Sequence, residues 1–295
     1  MPTIIRRGGA LSVLVILTLL LSGCVAARPP LVLENHVIDG DVAWSGEVRI
    51  RGVVTVKKEG RLTILPGTRV LFEPVDRDGD GIGDGELRVE GGLTARGTDR
   101  EPILFTSAAT EPQTADWKYI YLDFAREARL AHVISEYAYS GVQVHFCKAR
   151  IVHSEFRHNV DGVRFSTVNI ELAGNRIHDN THGIRYEERR SSGRVHHNRI
   201  TGNDIGLFAV TRCQNGILFE DNDLAGNRDY HVKLGLRQSG DLSYPRNWWG
   251  SSDPAVIAGG FFDRRYDAAL GRVTAPEPLT GPPRVEDVSL QQGVQ

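Results

Sequence analysis

Four rows repeat one another within residues 152–235: HSEFRHNVDGVRF (153–165), GNRIHDNTHGIRY (174–186), HNRITGNDIGLFA (197–209) and DNDLAGNRDYHVK (221–233). Each row carries an asparagine at the same place, and these recur at spacings of 21, 23 and 24 residues: Asn159, Asn180, Asn203 and Asn227. The first three are followed three residues later by Gly162, Gly183 and Gly206. A second asparagine precedes the last three by five residues: Asn175, Asn198 and Asn222. A fixed period in the low twenties indicates a repeat architecture.

The period predicts that each repeat is one coil of a parallel β-solenoid, with equivalent positions stacked about 4.8 Å apart. Asparagine side chains stacked in this way can hydrogen-bond to one another, and asparagine tolerates left-handed backbone. We expect the glycines to supply positive φ at a corner of each coil. After each glycine the residues alternate, as in Val163-Arg164-Phe165, so that apolar side chains face inward. A leucine-rich repeat needs an LxxLxL frame that is absent here, and a propeller blade is about twice as long.

The beginning of the chain is predicted to be a targeting segment and not part of the fold. Arg6 and Arg7 precede an apolar run that is short for a membrane span and ends in Leu21-Ser22-Gly23-Cys24. This ending resembles a bacterial lipobox, which implies a signal peptide over residues 1–23 and lipidation of Cys24. Val25 stands where lipoproteins retained in the inner membrane usually carry Asp. The resemblance therefore implies an outer membrane lipoprotein, on the periplasmic or the surface face.

The segment after residue 40 resembles the first coils of right-handed parallel β-helix proteins of the pectin-lyase-like superfamily. The residues that carry this resemblance are Leu62-Thr63-Ile64, Pro66-Gly67-Thr68, Val70 and Phe72, then Leu87, Val89, Gly91, Leu93, Ala95, Gly97-Thr98, Pro102-Ile103 and Phe105-Thr106-Ser107. In its repeat alone, the chain is also similar to periplasmic copper-handling β-helix proteins. The resemblance implies an all-β fold: a single-stranded right-handed parallel β-helix, or solenoid, with a C-terminal cap.

Five segments are expected along the chain. Their boundaries are 1–23 for the signal peptide, 24–40 for a lipidated tether, 41–250 for the β-helix with a loop insertion at 76–86, 251–281 for the cap, and 282–295 for a disordered tail. The last coil of a solenoid would otherwise expose its core and its unpaired strand edges. Trp248 and Trp249 are large enough to cover that end, so we place the cap directly after them.

The loop insertion carries carboxylates on alternate residues, the kind of hard oxygen ligand that calcium prefers. The expected ligands are Asp76, Asp78, Asp80, Ile82 through its carbonyl oxygen, Asp84 and Glu86. The loop departs from an EF-hand, because its twelfth position is Leu87 and strands flank it. It is more similar to the calcium loops of dockerin or thrombospondin type 3 repeats. No basic residue is obviously paired with the loop, so we expect a structural calcium ion; an acidic solvated turn is the alternative.

Charge and residue columns limit the functions that the repeat could carry. A formal net charge of −2 argues against nucleic-acid binding. Arg164 and Arg185 precede Phe208 in one column, and two guanidinium groups beside an aromatic ring could hold an anionic sugar chain, although a solvated sheet face would look the same. No two histidines share a column, so we interpret the histidines as solvent-facing turn residues. Cys147 and Cys213 lie about three coils apart, which is too far for a disulfide.

Together these features predict a non-catalytic envelope lipoprotein. It would be a β-helix scaffold, attached to the membrane by its lipid anchor, that binds a glycan or an envelope protein and holds a structural calcium ion. No column of paired carboxylates lies beside the arginines, so no catalytic residue is assigned. A polysaccharide lyase or hydrolase acting on an acidic glycan is one alternative. Periplasmic copper handling is the second, although the initiator is the only methionine, which excludes thioether ligation in the mature chain.

Overall fold

A computed structural model of the chain describes residues 29–284 and consists mainly of three long parallel β-sheets around one hydrophobic core. The predicted signal peptide (1–23), the predicted lipidation at Cys24 and the end of the predicted tail from residue 285 lie outside the described residues. Within the described part, no helix is long and apolar enough to cross a membrane. The predicted all-β parallel solenoid is confirmed.

Each complete coil contributes one strand to each of three sheets, here called A, B and C, with strands numbered in chain order. Sheet A contains β1 (Leu31–Glu34), β4 (Glu47–Arg51), β7 (Arg69–Phe72), β10 (Ile103–Ser107), β13 (Val133–Glu136), β16 (Glu155–Arg157), β19 (Arg176–His178) and β22 (Arg199–Thr201). Sheet B contains β2 (Val37–Ile38), β5 (Val53–Val56), β8 (Glu86–Val89), β11 (Trp117–Asp123), β14 (Ala138–His145), β17 (Asp161–Ser166), β20 (His182–Glu187), β23 (Ile205–Thr211), β25 (Tyr230–Leu234) and β27 (Phe261–Phe262). Sheet C contains β3 (Asp41–Trp44), β6 (Arg61–Ile64), β9 (Gly92–Arg96), β12 (Glu127–Ala131), β15 (Lys148–Val152), β18 (Asn169–Ala173), β21 (Ser192–His196) and β24 (Ile217–Glu220). A short pair, β26 (Leu242–Ser243) and β28 (Val273–Thr274), and one helix, α1 (Pro254–Gly259), complete the chain.

Alternation along the strands of sheet B builds the core. In β17, Val163 and Phe165 are buried, whereas Arg164 between them stays partly exposed. In β20, Ile184 and Tyr186 are buried on either side of the partly exposed Arg185 in the same way. Burying one such side chain contributes about 1.5–3 kcal/mol, so the inward columns of successive coils supply much of the stability. The predicted inward orientation of these apolar residues is confirmed.

The two asparagine columns form buried hydrogen-bonded ladders. In each column the side-chain amide donates to the side-chain oxygen of the asparagine in the next coil, over 2.9–3.1 Å. One ladder is Asn159, Asn180, Asn203 and Asn227, and the other is Asn175, Asn198, Asn222 and Asn247. Leaving a buried amide without a partner costs about 1–3 kcal/mol, so the ladders hold neighbouring coils in register. The predicted stacking of asparagines is confirmed.

The left-handed backbone at these corners lies one residue before each ladder asparagine. In the first column the residues with positive φ are His158, Asp179, Gly202 and Gly226, with φ between 55° and 69°. The expectation that asparagine itself would adopt this conformation is therefore wrong. The preceding residue makes the turn, and the asparagine can then direct its side chain inward along the column.

The corner glycines provide space and not a special backbone conformation. Gly162, Gly183 and Gly206 do not have positive φ, so the sequence-based reason for these glycines is wrong. A Cβ atom on Gly183 would lie 2.7 Å from the carbonyl oxygen of Gly206 and 3.0 Å from Nδ2 of Asn203. Glycine is required because each coil passes close to the asparagine ladder of the next coil.

Both ends of the β-helix differ from the expected boundaries. Strand β1 pairs with β4, so residues 31–40 belong to the first coil and the predicted tether is too long. At the other end, β27 pairs with β25 and extends sheet B beyond residue 250, into the predicted cap. Trp249 is buried and its ring lies 4.9 Å from that of Phe261, whereas Trp248 stays partly exposed. A single tryptophan therefore fills the end of the core.

Candidate functional site

The outer face of sheet B carries a continuous column of polar and aromatic side chains, here called the central column. Its members pair in register from strand to strand: Arg88, Tyr121, Gln143, Arg164, Arg185, Phe208, Lys233 and Phe262. Eight residues at the strand spacing span about 34 Å along the axis. The column is therefore long enough to contact several units of an extended chain.

The three residues singled out in the sequence, Arg164, Arg185 and Phe208, occupy consecutive strands of this column. The guanidinium of Arg185 lies 5.6 Å from the centre of the Phe208 ring, and the ammonium of Lys233 lies 5.9 Å from it. Cations at this distance are attracted to the face of the ring. Lys233 was not recognised in the sequence, because its row lacks the corner glycine that marks the column in the other rows.

A groove of about 220 Å³ runs beside the central column toward the corner between sheets B and C. Its lining consists of His145, Phe146, Arg164, Phe165, Ser166, Arg185, Tyr186, Glu187, Arg189 and Val210. Three arginines face this space, and one of them, Arg189, is paired with Glu187 at 2.7 Å. The remaining two, Arg164 and Arg185, give the groove its positive charge.

An aspartate and a histidine lie beside these two arginines. Asp161 begins β17 and is fully buried, and its Oδ1 is 2.7 Å from Nδ1 of His182 in β20. Its Oδ2 lies 3.7 Å from Arg185 and 4.0 Å from Arg164. The His182 ring also stacks on Phe208, with centroids 4.9 Å apart. The sequence interpretation considered the histidines alone and missed this pair of an aspartate and a histidine in adjacent coils.

Three buried side-chain oxygens at the same place lack a hydrogen-bond partner within the described residues: Ser140 Oγ, Gln143 Oε1 and Asp161 Oδ2. They are neighbours, since Ser140 pairs with Asp161 and Gln143 with Arg164 in the register of β14 and β17. Buried polar atoms are nearly always hydrogen-bonded in folded proteins. Three neighbouring buried acceptors without a partner therefore lie next to the two arginines, although none of these three residues lines the groove.

The acidic loop brings three of its predicted ligands together. Oxygen atoms of Asp76, Asp78 and Asp80 lie within 4.8 Å of one another, and all three residues are exposed. Asp76 accepts hydrogen bonds from the N–H groups of Gly79 and Gly81, at 2.8 and 2.9 Å. These bonds fold the loop so that the carboxylates converge.

The other predicted carboxylate ligands have partners of their own. Asp84 accepts hydrogen bonds from the backbone N–H of Arg77 at 3.0 Å and from Lys118 Nζ at 3.1 Å, and these two bonds lower the pKa of its carboxyl. Glu86 is buried in β8 and accepts from Arg88 Nε at 2.8 Å. The N–H of Ile82 donates to Asp80 at 2.8 Å. The expectation that no basic residue pairs with the loop is wrong, since Lys118 does so.

Residues 118–242 match the family model for the right-handed β-helix region. Comparison with curated proteins and with solved structures finds no match to the chain. The right-handed β-helix region includes the aspartate–histidine pair and most of the central column, and the acidic loop precedes it. The fold is thus a right-handed parallel β-helix. The resemblance to the pectin-lyase-like superfamily is consistent with this fold.

The two described cysteines of the β-helix region do not offer soft metal ligands. Cys147 and Cys213 are free and buried, and burial raises the pKa of each thiol to about 12. In the described part of the chain, neither thiol belongs to a group of three potential ligands close enough to hold an ion. Among the described residues, the trio Asp76, Asp78 and Asp80 is the one group of three or more potential His, Cys, Asp or Glu ligands close enough to hold an ion. Its oxygen donors suit a hard cation and not copper.

Proposed function

We propose that the protein is a non-catalytic lipoprotein of the outer membrane, anchored through Cys24, whose sheet B binds an anionic glycan. The observation that carries this proposal is the adjacent pair Arg164 and Arg185, in register on the edge of a groove and followed by Phe208. Guanidinium groups recognise carboxylates and sulfates through paired hydrogen bonds. An envelope protein with an acidic surface is the alternative partner.

The positive charge of these two arginines is available to a ligand. Their ion-pair contacts among the described residues are to Asp161 alone, at 4.0 and 3.7 Å, which is too long for a hydrogen bond. Arg150 on sheet C, by contrast, has a closer partner, Glu171, at 2.8 Å. One buried carboxylate facing two guanidinium groups leaves an excess of positive charge at the surface of sheet B.

Changing Arg164 or Arg185 to alanine is expected to weaken binding of an oligogalacturonate by about tenfold or more, because each loses a charge-assisted hydrogen bond. Affinity is measured by calorimetry at several salt concentrations, and the variants should show a weaker salt dependence. Arg150→Ala is the matched control, with the same loss of charge on another face, and should bind like the wild type. Equal affinity of all four proteins, or no binding by any, would contradict the proposal.

The contact between Asp161 and His182 favours one second candidate, a lyase or hydrolase acting on an acidic glycan. A buried carboxylate that orients an imidazole is a common arrangement for a general base. Incubation with a panel of acidic glycans tests this, with new reducing ends and unsaturated products as readouts. Catalysis requires a product that disappears in His182→Ala and in Arg164→Ala; if no glycan yields a product, catalysis is rejected.

We also propose that the acidic loop binds a structural calcium ion. Asp76, Asp78 and Asp80 would provide the first carboxylate oxygens, and the carbonyl oxygen of Ile82 is a further candidate ligand. Asp84 and Glu86 lie outside this trio, and their carboxylates are paired with Lys118 and Arg88. The ion would offset the repulsion among three carboxylates and hold the connection between β7 and β8.

A further inference from the structure

Two phenylalanines at the corner between sheets B and C are exposed to solvent. Phe124 and Phe146 are 65% and 51% exposed, and their rings stack with centroids 4.5 Å apart at an interplanar angle of 10°. Each directly follows a strand of sheet B, in successive coils. Both have left-handed backbone, with φ of 54° and 50°.

The fold does not require an aromatic residue at this corner. Thr167 and Arg212 follow later strands of sheet B in the same way and have the same left-handed backbone, with φ of 54° and 57°. Bulky side chains rarely adopt this conformation, and an exposed ring contributes little to the core. Two stacked, exposed phenylalanines are therefore better explained by a ligand than by stability.

The aromatic pair is continuous with the arginine groove. Phe146 lines that groove together with Arg164 and Arg185. One face of its ring is covered by Phe124, and its neighbour in the next coil is Thr167, whose carbonyl oxygen accepts the N–H of Phe146. A threonine side chain is too small to cover a phenyl ring. A flat apolar ring of a ligand can therefore pack on Phe146 while the same chain reaches the arginines.

We infer that Phe124 and Phe146 form a stacking platform for a sugar ring, at one end of the arginine groove. The inference rests on the proposed glycan binding and narrows its ligand to a chain of sugar acids. The C–H face of a pyranose packs on the Phe146 ring, and the acidic group of a neighbouring unit contacts Arg164 or Arg185. An acidic polypeptide would satisfy the arginines but offers no flat ring at each unit.

Substitutions of Phe146 separate ring stacking from general apolar contact. Phe146→Trp keeps a flat aromatic face and is expected to bind an oligogalacturonate within about twofold of the wild type. Phe146→Leu stays apolar but loses the face, and its affinity is expected to fall about tenfold. Leu218→Ala removes an exposed apolar side chain from the outer face of sheet C, so it is the control and should leave affinity unchanged. Poly-L-glutamate is the second probe, a polyanion without rings, and both Phe146 variants should bind it like the wild type.

Each outcome of this experiment decides a different point. Equal affinity of Phe146→Leu and Phe146→Trp for the oligogalacturonate overturns the platform, while the proposed glycan binding stands if Arg164→Ala still weakens the complex. A parallel loss on poly-L-glutamate also overturns it. If Phe146→Leu leaves the oligosaccharide affinity unchanged but weakens attachment to anionic lipid vesicles, the pair contacts a membrane instead. Absence of oligogalacturonate binding by the wild type overturns the proposed function and the platform together. Because Phe146 is exposed, an unchanged melting curve should accompany every variant.

Discussion

Replacing Gly183 with alanine is expected to lower the free energy of unfolding by about 3 kcal/mol and Tm by about 5–10 °C. The added Cβ atom would lie 2.7 Å from the Gly206 carbonyl oxygen and 2.7 Å from Cγ2 of Ile200, closer than such atoms can approach. Neither the backbone of the next coil nor the buried ladder can move without breaking hydrogen bonds. Thermal and urea unfolding, followed by circular dichroism, measure the loss.

A second glycine substitution provides the control for this prediction. A Cβ atom on Gly259, at the end of α1, meets no atom within 4 Å, and the residue does not have positive φ. Gly259→Ala should therefore change Tm by no more than about 1 °C, or raise it slightly. If Gly183→Ala were as stable as Gly259→Ala, close passage of the coils past the ladder would not be the reason for glycine at this corner.

The sequence predicts which residues stack in columns, but it does not predict why a glycine is needed at the corner of each coil. The repeat period and the apolar–polar alternation can be read directly from the order of residues. They predict the stacked asparagines and the inward orientation of Val163 and Phe165. The glycine at 183 was correctly placed on a corner and wrongly explained. Its constraint comes from the next coil, whose carbonyl oxygen and asparagine amide fill the space that a side chain would need. This close approach between two coils arises only when the coils are stacked, so the sequence of one row does not reveal it.

The sequence predicts the candidate site where adjacent rows carry identical residues, but not where adjacent rows carry different ones. Arg164 and Arg185 are the same residue in adjacent rows, so the sequence placed them next to each other. Asp161 and His182 differ, and a search for identical residues in one column passes over a pair of complementary ones. Comparing neighbouring rows for an acid above a base would have found them. The contact between Asp84 and Lys118 had no such signal, because the two residues are 34 positions apart in the chain.

Removal of calcium is expected to lower Tm by about 5 °C or more, if the acidic loop binds the ion. A ligand present at a hundred times its dissociation constant stabilises the folded state by about 2.7 kcal/mol. Without the ion, the carboxylates of Asp76, Asp78 and Asp80 repel one another at short range. The melting temperature with calcium and with a chelator measures the difference, and magnesium in place of calcium should give a smaller effect, since it requires shorter and more regular coordination.

The order of Tm between the wild type and the Asp78→Asn variant should reverse when calcium is replaced by a chelator. Asp78 accepts one long hydrogen bond, from Asp80 N–H at 3.3 Å, so its replacement by asparagine disturbs the loop little. In calcium the variant loses a charged ligand and should melt below the wild type. In chelator it removes one repelling charge and should melt at or above the wild type. Asp229→Asn, an exposed carboxylate outside the loop, should keep the full response to calcium. If the Tm of the wild type is the same in calcium and in chelator, residues 76–86 are an acidic turn without a calcium ion, because an ion that binds the folded state alone must raise Tm.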